Sequence, residues 1–282
     1  MEQGLFILAL FGTSVAAGGL GALLGLGGGI LLVPILTIFY GVNLRYAMGA
    51  SIISVIATSS GAAAAYLRSG LSNIRIGLFL ALATVSGAIT GAALVGVVPE
   101  NVLELILGLA LAYSAAVTLR QINVEVPENP TAHPLARRFD LAGSYHDARL
   151  DRDVTYQAVR VRRGLGAMFG AGLLSGLLGI GSGAFKVLAM DYFMRLPMKV
   201  STATSNFMIG ITATASAAIY FRRGDIHPLV VTPVAVGVLL GAYLGTRLMA
   251  GMRNTTVRKL FLPVLFYLAI SMVLRGLSIR WP

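Results

Sequence analysis

The chain has 282 residues, of which 56% are hydrophobic and 12% are charged, and its formal net charge is +11. Soluble domains carry about 25% charged residues, so this composition excludes a water-soluble enzyme and a soluble binding module. The sequence contains no cysteine, which excludes disulfides, thiolate nucleophiles and cysteine-ligated metals. Its basic residues stand singly or in pairs between apolar runs, so the positive charge does not indicate nucleic-acid binding.

Ten apolar segments follow one another along the chain. They lie at about 4–24, 28–41, 46–67, 74–98 and 101–119, and then at about 164–180, 183–195, 200–221, 228–251 and 257–275. A membrane-spanning helix needs about 20 predominantly apolar residues. We therefore predict an all-α polytopic membrane protein with eight to ten spanning helices, the lower number applying if the short second segment of each half does not span.

The second half repeats the first at a constant offset without a gap. Gly25 falls on Gly179, 154 residues later, and the same offset superimposes Ser51 on Ser205 and many further residues. Self-similarity at a fixed period indicates a repeated architecture. We predict an N-terminal transmembrane repeat at 1–121, a linker at 122–163 and a C-terminal transmembrane repeat at 164–282.

Matched loops of the two halves carry opposite charge. Between its fourth and fifth segments the first half has Glu100 and Glu104, whereas the second half has Arg253, Arg258 and Lys259. Basic residues collect in the cytoplasmic loops of membrane proteins. We therefore predict that the two five-segment repeats are inverted with respect to each other, and that the linker is cytoplasmic.

Glycine clusters at 25–29 and 179–183 interrupt the apolar pattern at the same place in each half, and each precedes a short apolar run. Broken helices at membrane depth are tolerated where the backbone lines a cavity or is buried in protein. Paired, glycine-interrupted segments point to a transporter binding site, and the helix that restarts after each break offers N–H groups to an anion. The predicted substrate-binding residues of the breaks are Gly27, Gly28, Gly29, Gly181, Ser182 and Gly183. Tight helix packing is the alternative.

Two ionisable residues, Lys186 and Asp191, stand inside an apolar stretch, where charges are costly and usually face a cavity or a partner. We predict that Lys186 faces an anionic substrate; the alternative is a side chain that reaches the membrane surface. Asp191 is the candidate for coupling transport to a cation, and its alternative is an ion pair with Arg195, four residues further on.

Small polar residues open the third segment of each half. Ser51, Ser205 and Asn206 can hydrogen-bond an oxyanion without adding charge, and we include them among the predicted substrate-binding residues. The alternative is hydrogen bonding between helices. For the neighbouring Ser54 and Thr58, packing is the preferred interpretation.

The polar linker has an extended, proline-rich start, and residues 154–161 alternate in character. This alternation predicts a strand, which we pair with another around Leu141–His146 to give a short hairpin that serves as a lid or linker. The sequence has no HExxH or GxSxG motif, and its three histidines are scattered. We therefore expect no enzymatic activity, no cofactor and no metal site.

Four segments of the sequence resemble motifs of the TauE/SafE family, the sulfite-exporter-like permeases. They lie at 25–34, 175–187, 203–210 and 237–245, and the resemblance covers nearly the whole chain. It implies a multi-pass transporter of the bacterial inner membrane, with sulfite, sulfoacetate and other organosulfonates as the usual substrates. Ser182 stands where the family often has glycine, and Lys186 where many members are apolar.

The electrical gradient favours one direction of anion movement. An inside-negative potential drives an anion outward by about 2.3 kcal/mol per charge per 100 mV, so we expect export by alternating access. An anion channel, a proton-coupled importer and a non-transporting assembly factor are the alternatives. The expected partners are a small anionic substrate and the lipid bilayer but no nucleic acid, and a homodimer is left open.

Overall fold

The computed structural model describes residues 3–23, 28–68, 70–120, 134–147, 152–248 and 254–278. Within these ranges the chain is almost entirely helical, and its only strands form one two-stranded sheet. The predicted all-α class is therefore confirmed. Of the predicted site residues, Gly27 lies outside the described residues.

The helices of the first half are α1 (Gln3–Leu23), α2 (Gly29–Phe39), α3 (Leu44–Arg68), α4 (Ile74–Leu94) and α5 (Glu100–Arg120). The linker contributes α6 (Pro134–Arg138) and the strands β1 (Ala142–Asp147) and β2 (Arg152–Gln157). The second half comprises α7 (Val161–Leu178), α8 (Gly183–Leu188), a π-helical turn (Ala189–Phe193), α9 (Met198–Arg223), α10 (Pro228–Leu248) and α11 (Asn254–Gly276).

Helix boundaries recur at the offset that relates the two halves of the sequence. Helices α3, α4 and α5 begin at residues 44, 74 and 100, and α9, α10 and α11 begin at residues 198, 228 and 254, each 154 later. Helix α2 occupies residues 29–39, and α8 with the π-helical turn occupies residues 183–193 at the same offset. The two halves thus contain matching elements in the same order.

One end of the bundle, which we call the α1 end, gathers the beginnings of α1 and α5. Tyr40, just after α2, donates from its hydroxyl to the carbonyl of Ala9 (2.9 Å), so α2 runs back along α1 toward the α1 end. Arg275 in the last turn of α11 pairs with Glu104 in α5 (3.1 Å) and donates to the carbonyl of Thr37 in α2 (3.2 Å). Helix α11 therefore finishes where α5 begins.

The opposite end, which we call the linker end, carries the hairpin. Asn73, the residue before α4, donates through Nδ2 to the carbonyl of Ala142 in β1 (3.1 Å), and its backbone N–H donates to the hydroxyl of Thr204 near the start of α9 (3.1 Å). The N–H of Val159 donates to the carbonyl of Met194, beyond the π-helical turn (3.1 Å). Helices α7 and α9 thus begin at the linker end, whereas their matched helices α1 and α3 begin at the α1 end.

Two helix pairs that join the halves, α1 with α10 and α4 with α7, pack through glycine. A Cβ atom on Gly176 of α7 would overlap the carbonyl oxygen of Ala88 in α4, and one on Gly241 of α10 would overlap that of Val15 in α1. Only residues without a side chain let two backbones approach so closely. The glycine content of these helices therefore fixes which surfaces meet.

Apolar side chains cover the outside of the bundle as well as its interior, unlike the mostly polar surface of a soluble protein. Large apolar side chains on the outer helices are exposed, including Leu8 (68%), Leu82 (74%) and Leu229 (64%). The interior is mainly apolar too, but it also contains buried hydroxyl groups, among them those of Ser54 and Thr84. An apolar exterior of this extent matches contact with lipid.

Length and composition mark two of the described helices as long and apolar enough to cross a membrane, over Gly4–Gly21 and Ile74–Leu94. Shorter apolar helices lie at Gly29–Phe39, Pro228–Leu244 and Leu262–Gly276. The number of eight to ten spans therefore stays a prediction.

The linker hairpin occupies the region in which the sequence predicts two strands. Strand β1 pairs with β2 in antiparallel register, with Tyr145 opposite Val154. The second strand stops at Gln157 instead of continuing to Val161, because the N–H of Val159 donates to the carbonyl of Met194, just after the π-helical turn, and Val161 already begins α7. Linker residues 122–133 and 148–151 lie outside the described residues.

Candidate functional site

The chain enters each short helix through left-handed backbone. Gly28, before α2, has a φ of 70°, and Gly179 and Gly181, before α8, have φ angles of 66° and 74°. Glycine adopts this conformation freely because it has no Cβ atom. Ser182 adopts it as well, at a φ of 46°, where an ordinary residue pays roughly 1–2 kcal/mol. The second break is therefore strained at Ser182.

The two breaks meet at Ser51 in α3. The Oγ atom of Ser51 lies 2.7 Å from the carbonyl oxygen of Gly179 and 3.1 Å from that of Gly29, so its single proton is shared between the two breaks. A Cβ atom on Gly29 would lie 3.2 Å from the carbonyl oxygen of Ile180, which shows how closely the breaks approach each other. Residues 151 positions apart in the sequence, such as Gly29 and Ile180, thus lie together in the interior.

Ser205 in α9 makes the matching contact on the second break. Its hydroxyl donates to the carbonyl of Gly183 (3.2 Å), and both residues lie 154 positions after Ser51 and Gly29. The hydroxyl protons of both serines are therefore engaged with backbone. The lone pairs of their oxygen atoms remain as acceptors.

Lys186 is fully buried, at 0% exposure. Its Nζ atom donates to the carbonyl of Gly181 in the second break (3.2 Å). Among the described residues, no carboxylate forms an ion pair with it. The side chain does not extend to the surface of the bundle, which was the alternative to a role in binding. An ammonium group in this position has two further N–H donors to satisfy.

Asn206 and Asp191 occupy different surroundings. Asn206 is buried and donates through Nδ2 to the carbonyl of Thr202, one turn earlier (3.1 Å). Asp191 is partly exposed within the π-helical turn and forms no ion pair with Arg195 in the part of the chain described. The alternative interpretation of Asp191 assumed a regular helix, but the turn is π-helical and Arg195 has a φ of 51°.

A cavity of about 630 Å³ lies between α3, α4 and α9 and was not predicted from the sequence. None of the predicted substrate-binding residues lines it. Its walls are formed by Ser59, Ser60, Ala63, Val85, Phe207, Gly210, Ile211, Thr214 and Ala215. Ser60 and Thr214 occupy matched positions, 154 residues apart, so the cavity lies where the two halves meet. The sequence signal that could have indicated it is the run of small residues at mid-length in both α3 and α9.

Comparison with known proteins identifies relatives along almost the whole chain. Residues 10–272 match the family described as sulfite exporter TauE/SafE. The chain is 26% identical over 278 residues to the "Probable membrane transporter protein YunE" of Bacillus subtilis (strain 168), covering 96% of this chain and 98% of that protein. It is 26% identical over 245 residues to the "Probable membrane transporter protein YdhB" of the same organism, covering 86% and 89%. No solved structure gives a significant match.

Proposed function

The chain belongs to the sulfite exporter TauE/SafE family, and we propose that it is a secondary transporter that exports small anions across the bacterial inner membrane. Sulfite and small organosulfonates are the proposed substrates. The family description supports this substrate class, and the membrane-transporter names of two relatives that match nearly end to end support transport.

The observation that carries the proposal is the environment of Lys186. A buried ammonium group is costly to keep charged unless an opposite charge and hydrogen-bond acceptors surround it. Here one backbone carbonyl accepts from Nζ, and none of the described carboxylates pairs with it. A bound oxyanion supplies both the missing charge and the missing acceptors.

We further propose that the two halves are inverted repeats that rock about the interior site. Matched helices begin at opposite ends of the bundle, and each outer pair joins one helix from each half, α1 with α10 and α4 with α7. Inverted repeats with broken helices support alternating access around a site near the middle of the bilayer. The meeting of both breaks at Ser51 supports a site of this kind.

Export needs no coupling ion. The membrane potential supplies about 2.3 kcal/mol per charge per 100 mV to an outgoing anion, and a dianion gains roughly twice that. The alternative function is proton-coupled import. It is favoured by one observation, the partly exposed Asp191 without a basic partner among the described residues, because a carboxylate in such a position can carry the proton.

Anion flux into and out of proteoliposomes tests the proposal. Lys186→Met removes the charge while keeping most of the volume, and we expect it to abolish sulfite and organosulfonate flux. Leu32 is the matched control, because it occupies the equivalent position in the first half and is equally buried; Leu32→Met should retain flux. Thermal melting of both variants verifies the fold, and unchanged flux in folded Lys186→Met would remove Lys186 from the site.

A further inference from the structure

Both glycine breaks pack against the side chain of Val55. The Cγ1 atom of Val55 lies 2.7 Å from the position that a Cβ atom on Gly181 would take, and its Cγ2 atom occupies the space that a Cβ atom on Gly29 would need. The Cγ2 atom of Ile209 lies 3.3 Å from the same Cβ position of Gly181. Val55 and Ile209 are both fully buried.

Val55 and Ile209 are also matched residues of the two halves, since they lie 154 positions apart on α3 and α9. Each is β-branched, so its side chain has one strongly preferred rotamer in a helix and does not swing away easily. Val55 from the first half and Ile209 from the second half therefore pack against the second break as two stiff apolar side chains. Movement of one half against the other changes the distance between them.

The cavity between α3, α4 and α9 begins on the far side of this pair. Ser59 lies four residues after Val55 on α3, a rise of about 6 Å along the helix, and Gly210 directly follows Ile209 on α9. Ser59 and Gly210 both line the cavity. A Cβ atom on Gly210 would lie 2.8 Å from the Oγ atom of Ser59, so α3 and α9 touch there.

Val55 and Ile209 thus contact the second break, and residues close to them on α3 and α9 line the cavity. We propose that Val55 and Ile209 form a hydrophobic gate between the cavity and Lys186, and that the transported anion passes this gate. The proposal rests on the proposed function in one respect, namely that Lys186 binds the anion. Apolar constrictions of this kind close a pathway by excluding water.

The wall of the cavity is mainly apolar and carries hydroxyl groups at a few positions. Ser60 and Thr214, the matched pair in its wall, are exposed, and each hydroxyl donates to a carbonyl of its own helix at 2.8 Å. Their oxygen atoms remain free to accept hydrogen bonds from water. The gate therefore separates a cavity that contains hydroxyl acceptors from the buried Lys186 side chain.

Cysteine accessibility tests the gate directly, because the natural chain has no cysteine that would react in the background. Ser182→Cys places one thiol next to Gly181, at a position that is 2% exposed. We expect slow reaction of this thiol with a membrane-impermeant maleimide in proteoliposomes. Adding Val55→Ala and Ile209→Ala should accelerate labelling at least tenfold. Adding Val55→Thr, which keeps the shape but adds a hydroxyl, should accelerate it as well.

Val200→Ala is the matched control, because Val200 is on α9 and equally buried but lies nine residues before the gate. It should leave the labelling rate unchanged. Equal labelling in the parent and in both gate variants, with melting temperatures that show folded protein, would overturn the proposal, and so would equal acceleration by Val200→Ala. Labelling requires no substrate, so a failure of Lys186→Met to reduce flux refutes the proposed function without altering this result.

Discussion

Helix α7 contains two glycines for which the structure predicts opposite effects of the same substitution. Gly176 faces α4, and a Cβ atom there would overlap the carbonyl oxygen of Ala88 and lie 2.8 Å from the backbone nitrogen of Ala92. Gly170, less than two turns earlier, has nothing within 4 Å of its Cβ position. The substitutions Gly176→Ala and Gly170→Ala therefore differ only in what the new methyl group meets.

The expected magnitudes follow from two opposing effects. Overpacking in a filled interior costs typically about 1–3 kcal/mol, and the upper part of that range applies at Gly176 because the obstructing atoms are backbone that cannot change rotamer. Replacing glycine by alanine within a helix returns about 1 kcal/mol. Gly176→Ala should therefore lose about 2 kcal/mol, whereas Gly170→Ala should gain about 1 kcal/mol.

Thermal melting of the purified protein in detergent measures the difference. At about 2–4 °C per kcal/mol for a large domain, Gly176→Ala should lower Tm by roughly 4–8 °C and Gly170→Ala should raise it by roughly 2–4 °C. Gly12→Ala in α1, where the Cβ position is also open, serves as a second control. A shift of the same sign and size at positions 170 and 176 would refute the close packing of α7 against α4.

Three further substitutions test other parts of the structure. Ser182→Gly removes left-handed strain of roughly 1–2 kcal/mol and should raise Tm by a few degrees; a lower Tm would contradict the strain assigned to Ser182. Asn73→Ala removes the N-cap of α4 and both hydrogen bonds to the hairpin, which should cost about 2 kcal/mol of stability in all. Trypsin should then cleave faster after Arg152. Asn73→Asp is the control that keeps the cap. Asp191→Asn should leave flux and its pH profile unchanged if export needs no proton, and loss of a pH-dependent component would favour coupled import.

The sequence predicts the general architecture because composition and repetition both act over the whole chain. A chain with only 12% charged residues has too few of them to cover the surface of a water-soluble protein. The 154-residue offset in the sequence predicts where the matched helices of the two halves begin. The glycine clusters predict the breaks, since they supply the left-handed backbone observed at Gly28, Gly179 and Gly181. Composition, the repeat and the glycine breaks can all be read directly from the residue types along a single sequence.

Features that depend on how distant elements meet were not predictable. The cavity is built from α3, α4 and α9, and Ser59 touches Gly210 although 151 residues separate them. The π-helical turn at 189–193 contains no glycine or proline to signal it, so the sequence left open the alternative in which Asp191 pairs with Arg195 across one turn of regular helix. Ser51 was predicted among the substrate ligands, but only the fold shows that its proton joins two breaks.

The pairing of helices across the two halves has a consequence for biosynthesis. Helix α1 packs on α10 and α4 packs on α7, so each of the early helices emerges from the ribosome well before its partner is made. Until then the glycine face of α4, which meets the backbone of α7 in the folded protein, lacks its partner. The contacts of α1 with α10 and of α4 with α7 can therefore form only after the second half has been inserted into the membrane.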